Sequence, residues 1–123
     1  MTDERVFTVE EADAELDELR ERLPRLRTAR DGLIASSRRI TEAVANDGGG
    51  VAGTEWFAHQ ETLKMEVVYL ADRGIILRDP DTGLVDFPAQ REGRRVFLCW
   101  KLGEDRVGWF HEATAGFGGR RPL

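Results

Sequence analysis

The chain has little of several things that usually announce a function. There is one cysteine, Cys99, in 123 residues, so neither an intrachain disulfide nor a cysteine-only zinc cluster can form within one copy. Only two of its 18 basic residues are lysines, and the net charge is −5, which argues against general binding to a phosphate backbone. No apolar run approaches the roughly 18 residues of a membrane-spanning helix, and the acidic N-terminus does not read as a signal peptide. There is no internal repeat. With 41% hydrophobic and 33% charged residues, neither a disordered chain nor a membrane protein fits. The expectation is one cytoplasmic domain over 1–123, large enough to bury a core unaided.

What is present falls into two halves. Phe7-Thr8-Val9-Glu10-Glu11 has the form of a helix start, with Thr8 as cap and Glu11 three residues on, as a capping box requires. Leu16, Leu19, Leu23, Leu26, Leu33, Ile40 and Val44 then recur in steps of three and four, the stripe of a long helix lying along a partner. Pro24 interrupts it and predicts a kink, or two helices meeting near Leu23. Asn46 to Gly50 forms a connector. Thr54 is the expected cap of a second helix, with Trp56, Leu63, Val67 and Leu70 on its apolar side and an end at Arg73-Gly74. Residues 8–73 thus predict an antiparallel helical hairpin.

From Ile75 the period shortens to that of strands. Strands are expected at 75–78, 84–87, 95–101 and 106–112, with Pro88 marking a strand end or sheet edge. The tail, 113–123, is too rich in glycine for regular structure. The fold class is therefore α+β: a long antiparallel helical hairpin on an antiparallel meander of three to four strands, with an irregular tail.

Gly83-Leu84-Val85-Asp86-Phe87-Pro88-Ala89, Leu98-Cys99-Trp100-Lys101-Leu102-Gly103-Glu104, Trp109-Phe110-His111-Glu112 and the closing Gly116 to Leu123 follow one another in order. With Phe7 to Ala12 at the front, this series resembles a small bacterial family catalogued as domain of unknown function 2203. The resemblance covers essentially the whole chain and implies no particular activity.

Strand alternation allows a more specific expectation. If the hairpins close at 90–93 and 103–105, Asp86 falls opposite Phe97 and Phe97 opposite His111. One face then carries Val85, Phe87, Val96, Leu98, Trp100 and Phe110. The other carries Leu84, Asp86, Phe97, Cys99, Val107, Trp109 and His111, which need covering by the tail or by a second subunit. Asp86 and His111 are candidates for a carboxylate–imidazole pair in acid–base catalysis, or, with Glu112 and Glu104, for ligands to a divalent metal. The competing reading is that they hydrogen-bond each other in a half-buried sheet. Arg120 and Arg121 beside the tail glycines are candidates for holding an anion, against a simpler role as a strap. His59 reads as a boundary histidine, and Cys99 as a small buried hydrophobe rather than a nucleophile.

Three functions follow in order of preference. The first is a non-enzymatic association module, a homodimer or a partner-docking domain, because the heptad seam and second sheet face exceed what one small domain covers. The second is a small metal-dependent or acid–base enzyme centred on Asp86 and His111. The third, nucleic-acid binding, rests only on the seven arginines between Arg20 and Arg39, which lack interleaved aromatics.

Overall fold

A computed structural model describes residues 5–46 and 51–123. Helices α1 (Val9–Asp13), α2 (Leu16–Asn46) and α3 (Val51–Arg73) precede five strands, β1 (Ile76–Asp79), β2 (Leu84–Arg91), β3 (Arg94–Lys101), β4 (Trp109–Glu112) and β5 (Arg121–Pro122). All neighbours are antiparallel and consecutive, in the order β1-β2-β3-β4-β5. The fold is α+β, a helical hairpin on a meander, with five strands rather than three or four. The Gly48–Gly50 connector lies outside the described residues.

The capping box at Thr8 forms as its sequence requires. Glu11 N–H donates to Thr8 Oγ1 at 3.0 Å, and Thr8 N–H donates to Glu11 Oε1 at 2.9 Å. The helical interruption, however, comes at Ala14–Glu15 and not at Pro24, through which α2 runs unbroken. Pro24 is exposed, so the carbonyl it leaves unpaired lies on the solvent side. A proline inside a helix costs about 3 kcal/mol. Burial of Leu16, Leu19, Leu23 and Leu26 returns roughly 1.5–3 kcal/mol each, so the helix holds.

Two charged clamps set the hairpin's alignment. Arg73 Nη1 donates to Glu15 at 2.9 Å, joining the start of α2 to the end of α3. Midway, the buried carboxylate of Glu66 accepts from Arg22 at 2.8 Å and Arg25 at 3.2 Å. Arg20, Arg27, Arg30 and Arg39 also pair with carboxylates, which neutralises most of the arginine run locally. Two expectations for α3 are corrected. The helix begins at Val51, so Thr54 lies inside it, and Val67 faces solvent because the helix turns its other side, Glu66 and Leu70, inward. The end at Arg73 is as expected, with Gly74 at φ +75°, a conformation glycine adopts without strain.

In the sheet, Glu92 (φ +54°) and Gly93 (φ +76°) make a two-residue turn between Arg91 and Arg94. Both central residues at positive φ match the twist of the flanking strands. The tighter turn lengthens β2 through Pro88 to Arg91 and moves the register by two residues. Asp86 therefore stands opposite Cys99, not Phe97, while Phe97 does stand opposite His111. A shift of two preserves the faces. Pro88 is tolerated because the register of β1 ends at Asp86 and leaves that side of β2 open; the Pro88 carbonyl there accepts the Phe7 N–H at 2.7 Å.

Val85, Phe87, Ala89, Val96, Leu98, Trp100 and Phe110 form one core with the leucines of α2 and with Leu70. Val107 joins this core and not the opposite face, because β4 begins only at Trp109 and the preceding segment turns toward the helices, where Val107 N–H donates to Asp13 Oδ1 at 2.8 Å. The tail is more regular than its glycines suggest: a 3₁₀ turn, Phe117–Gly119, leads into β5, which pairs with β4. Backbone pairing and an arginine anchor hold it in place of side-chain bulk.

Candidate metal centre

Three strands bring Asp86, Cys99 and His111 together on the sheet face turned away from the helices. Asp86 (β2) and Cys99 (β3) are direct cross-strand neighbours, and His111 (β4) lies diagonally beyond Cys99, opposite Phe97. Asp86 and Cys99 are 1% exposed and His111 3%. One ligand atom from each, a carboxylate oxygen, the thiol sulfur and a ring nitrogen, lies within 4.8 Å of the other two.

The hydrogen bonding of His111 is informative. Its Nδ1 is 2.8 Å from the carbonyl oxygen of Glu112, and its Nε2 is 2.9 Å from Asp86 Oδ2. A carbonyl oxygen only accepts, so Nδ1 carries the hydrogen of the first bond. Nε2 then points at a carboxylate oxygen, an approach of two lone pairs unless a positive charge sits between them. A histidine whose Nδ1–H is anchored on a backbone carbonyl, with Nε2 directed at anionic groups, has the outer bonding typical of metal-ligating histidines.

Asp86 shows the complementary feature. Its Oδ2 accepts from Arg78 Nε at 2.8 Å and lies 2.9 Å from His111 Nε2, while Oδ1 is buried with no hydrogen-bond partner among the described residues. Leaving a buried acceptor bare costs about 1–3 kcal/mol. Arg78 sits at the bulge where β1 slips against β2, between Leu77, paired with Val85, and Asp79, paired with Leu84. Bulges re-aim side chains in this way. Beside them, the Cys99 thiol is pushed up to about 12, first by burial and then by the negative charge of Asp86. It stays protonated at neutral pH, so it is no thiolate nucleophile by itself.

The other candidates lie elsewhere. Glu104 receives Arg120 at 3.0 and 2.9 Å and the Lys101 N–H at 2.8 Å; Glu112 pairs with Arg94 and Arg121. Neither belongs to the Asp86 cluster. Arg120 lies over Trp109 and Phe117 and pairs with Glu104, an ion pair that ties the tail to the turn after β3. His59 is half-buried, its ring against Gly32, where even a methyl group would collide. Arg78 had no sequence signal, since a bulge cannot be read from alternation. Cys99 had one: it shares the face of Asp86 and His111.

Above the cluster lies a pocket of about 290 Å³, lined by Arg78, Asp86, Cys99, His111, Thr114 and Phe117 among others. Acid–base work through His111 alone is poorly served here, because both ring nitrogens are already engaged. Sulfur, nitrogen and oxygen donors together are the ligand types of zinc and its neighbours, and the thiol disfavours magnesium or calcium. Tetrahedral zinc spaces its ligand atoms about 3.3–3.6 Å apart, so closing the present cluster needs side-chain shifts of about 1 Å. No curated protein and no solved structure matches the chain. A family model does match, over residues 5–123, and the protein belongs to that family, DUF2203, described as an uncharacterized conserved protein.

Proposed function

We propose that the protein binds a divalent transition metal of the zinc class through Asp86, Cys99 and His111, and works as a small metal-dependent enzyme. The observation that carries this reading is the bonding of His111: Nδ1 is fixed on the Glu112 carbonyl and Nε2 faces a carboxylate across 2.9 Å, beside a buried thiol. Three protein ligands leave a fourth position, and the adjoining pocket gives a small molecule access to it. A metal so placed polarises a bound water or carbonyl, the chemistry of metal-assisted hydrolysis. The reading also requires a reduced Cys99, which suits a cytoplasmic location.

The test is titration of chelator-stripped protein with cobalt(II) and zinc. One cobalt per chain, with a sulfur-to-cobalt charge-transfer band that disappears in Cys99→Ser and His111→Ala, is the expected result. No binding, or binding unchanged in both variants, overturns it. Binding must displace the thiol proton, so apparent affinity should rise by up to about ten-fold per pH unit near neutrality.

Association is a second reading, favoured by a separate observation. Phe57, Met65, Val67 and Val68 are all exposed on α3, and none of them lines the pocket. A homodimer formed there is compatible with the metal site and independent of it.

A further inference from the structure

The exposed side of α3 has a pattern that selects its own partner. At 100° per residue, Phe57, Glu61, Lys64 and Val68 fall within about 60° of one another, forming a single stripe along the helix. Met65 and Val67 flank it on either side. Phe57 is 67% exposed and Met65 61%, whereas Glu66 and Leu70 on the opposite side are buried toward α2 and the sheet. Glu61 and Lys64 make no ion pair with any described residue, although most arginines of the facing helix do.

We infer that α3 is the interface of a two-fold homodimer in which the two copies of this helix lie antiparallel. The inference rests on the association reading and adds its surface and register. An axis passing midway between Thr62 and Leu63 sets Phe57 level with the partner's Val68, Glu61 with the partner's Lys64, Ala58 with the partner's Val67 and Gln60 with the partner's Met65. Phe57 and Val68 then meet across the seam, and Glu61 meets Lys64, each pair occurring twice by symmetry. The parallel, in-register alternative would stack Glu61 on Glu61 and Lys64 on Lys64, which like-charge repulsion disfavours. The self-complementary order of charges is what identifies the occupant as a second copy of this chain rather than an unrelated helix. The face runs from Thr54 to Asp72, about 27 Å of helix, long enough for an extended seam.

Sedimentation equilibrium of the full chain from low to high micromolar concentration tests the proposal, with circular dichroism as the check on folding. All the substituted side chains are exposed, so the variants should fold like the parent. Glu61→Lys places lysine against lysine at two symmetric points and should weaken the dimer at least ten-fold. Adding Lys64→Glu to it reverses both charges and should restore the dimer to within about three-fold of the parent. Phe57→Asp should give monomer. If the parent itself is monomeric at high micromolar concentration, both the association reading and this interface are wrong. A dimer that persists in Glu61→Lys and Phe57→Asp overturns the interface alone and sends association to another surface. Failure of the double charge reversal to restore what Glu61→Lys removed overturns the antiparallel register.

Discussion

The two faces of the sheet are built from the same strands, alternate residue by alternate residue, yet they are organised on different principles. Toward the helices, Val85, Phe87, Leu98, Trp100 and Phe110 make a continuous apolar core. Toward the tail, the intervening positions hold Asp86, Cys99 and His111, equally buried but polar, with a bare carboxylate oxygen and a thiol kept protonated. Burial on the first face is stabilising through removal of apolar area from water. Burial on the second imposes costs, and the cover above it is light: the tail segment from Ala113 to Phe117, which enters a 3₁₀ turn, and one arginine clamp. The first face stabilises the fold, and the second gathers the polar groups that the proposed metal site uses.

Four experiments break or sharpen this contrast. The largest effect is expected on the helical side, where Phe87→Ala should remove about 3–5 kcal/mol of stability in urea unfolding. A loss under 1 kcal/mol would mean that the core is not shared between sheet and helices. On the other face, saturating zinc at about 100 times its dissociation constant should raise stability by about 2.7 kcal/mol. Cys99→Ser should abolish that gain, whereas equal protection in parent and variant would count against the ligand set. Arg120→Ala releases the strap and should lose about 2 kcal/mol. Its faster hydrogen exchange should be confined to Gly116–Leu123 and β4, leaving α2 and α3 unchanged.

The smallest effect concerns alkaline pH. The Cys99 thiol titrates higher in the folded protein than its ordinary value of 9.0, so the folded state retains a proton that the unfolded chain releases. The associated stability is complete below about pH 9 and declines from there toward about pH 12. At pH 10 the parent should have lost about 1 kcal/mol more than Cys99→Ala, measured against each protein's own value at pH 8. Parallel curves for the two proteins would remove the protonated thiol from the account.

Most of the architecture was legible in the order of residues. Steps of three and four followed by alternation gave the hairpin and the meander, and the faces of the sheet survived a wrong register because the error was an even one. The thermodynamic weight of Pro24 was not legible, since whether a helix tolerates proline depends on what its neighbours bury. Nor was the pairing of the tail, where backbone hydrogen bonds and Arg120 replace side-chain pattern. In the site, Asp86 and His111 could be placed together by parity alone. Parity also sets Glu112 apart, since it follows His111 on β4 and points to the other face, whereas Glu104 lies in a turn, where parity says nothing. Arg78 depends on a bulge, which has no periodicity to detect.

The strictly sequential strand order also has a kinetic consequence. Each strand needs only its neighbour in the chain, and the helical hairpin likewise closes locally, so both halves form through short-range contacts that favour rapid folding. Asp86 and His111, by contrast, are 25 residues apart and sit two strands from each other. Their nitrogen and oxygen meet only after β2, β3 and β4 have zipped together. A thiolate–cobalt signal followed during refolding would therefore time the completion of that three-stranded core, separately from the helical hairpin.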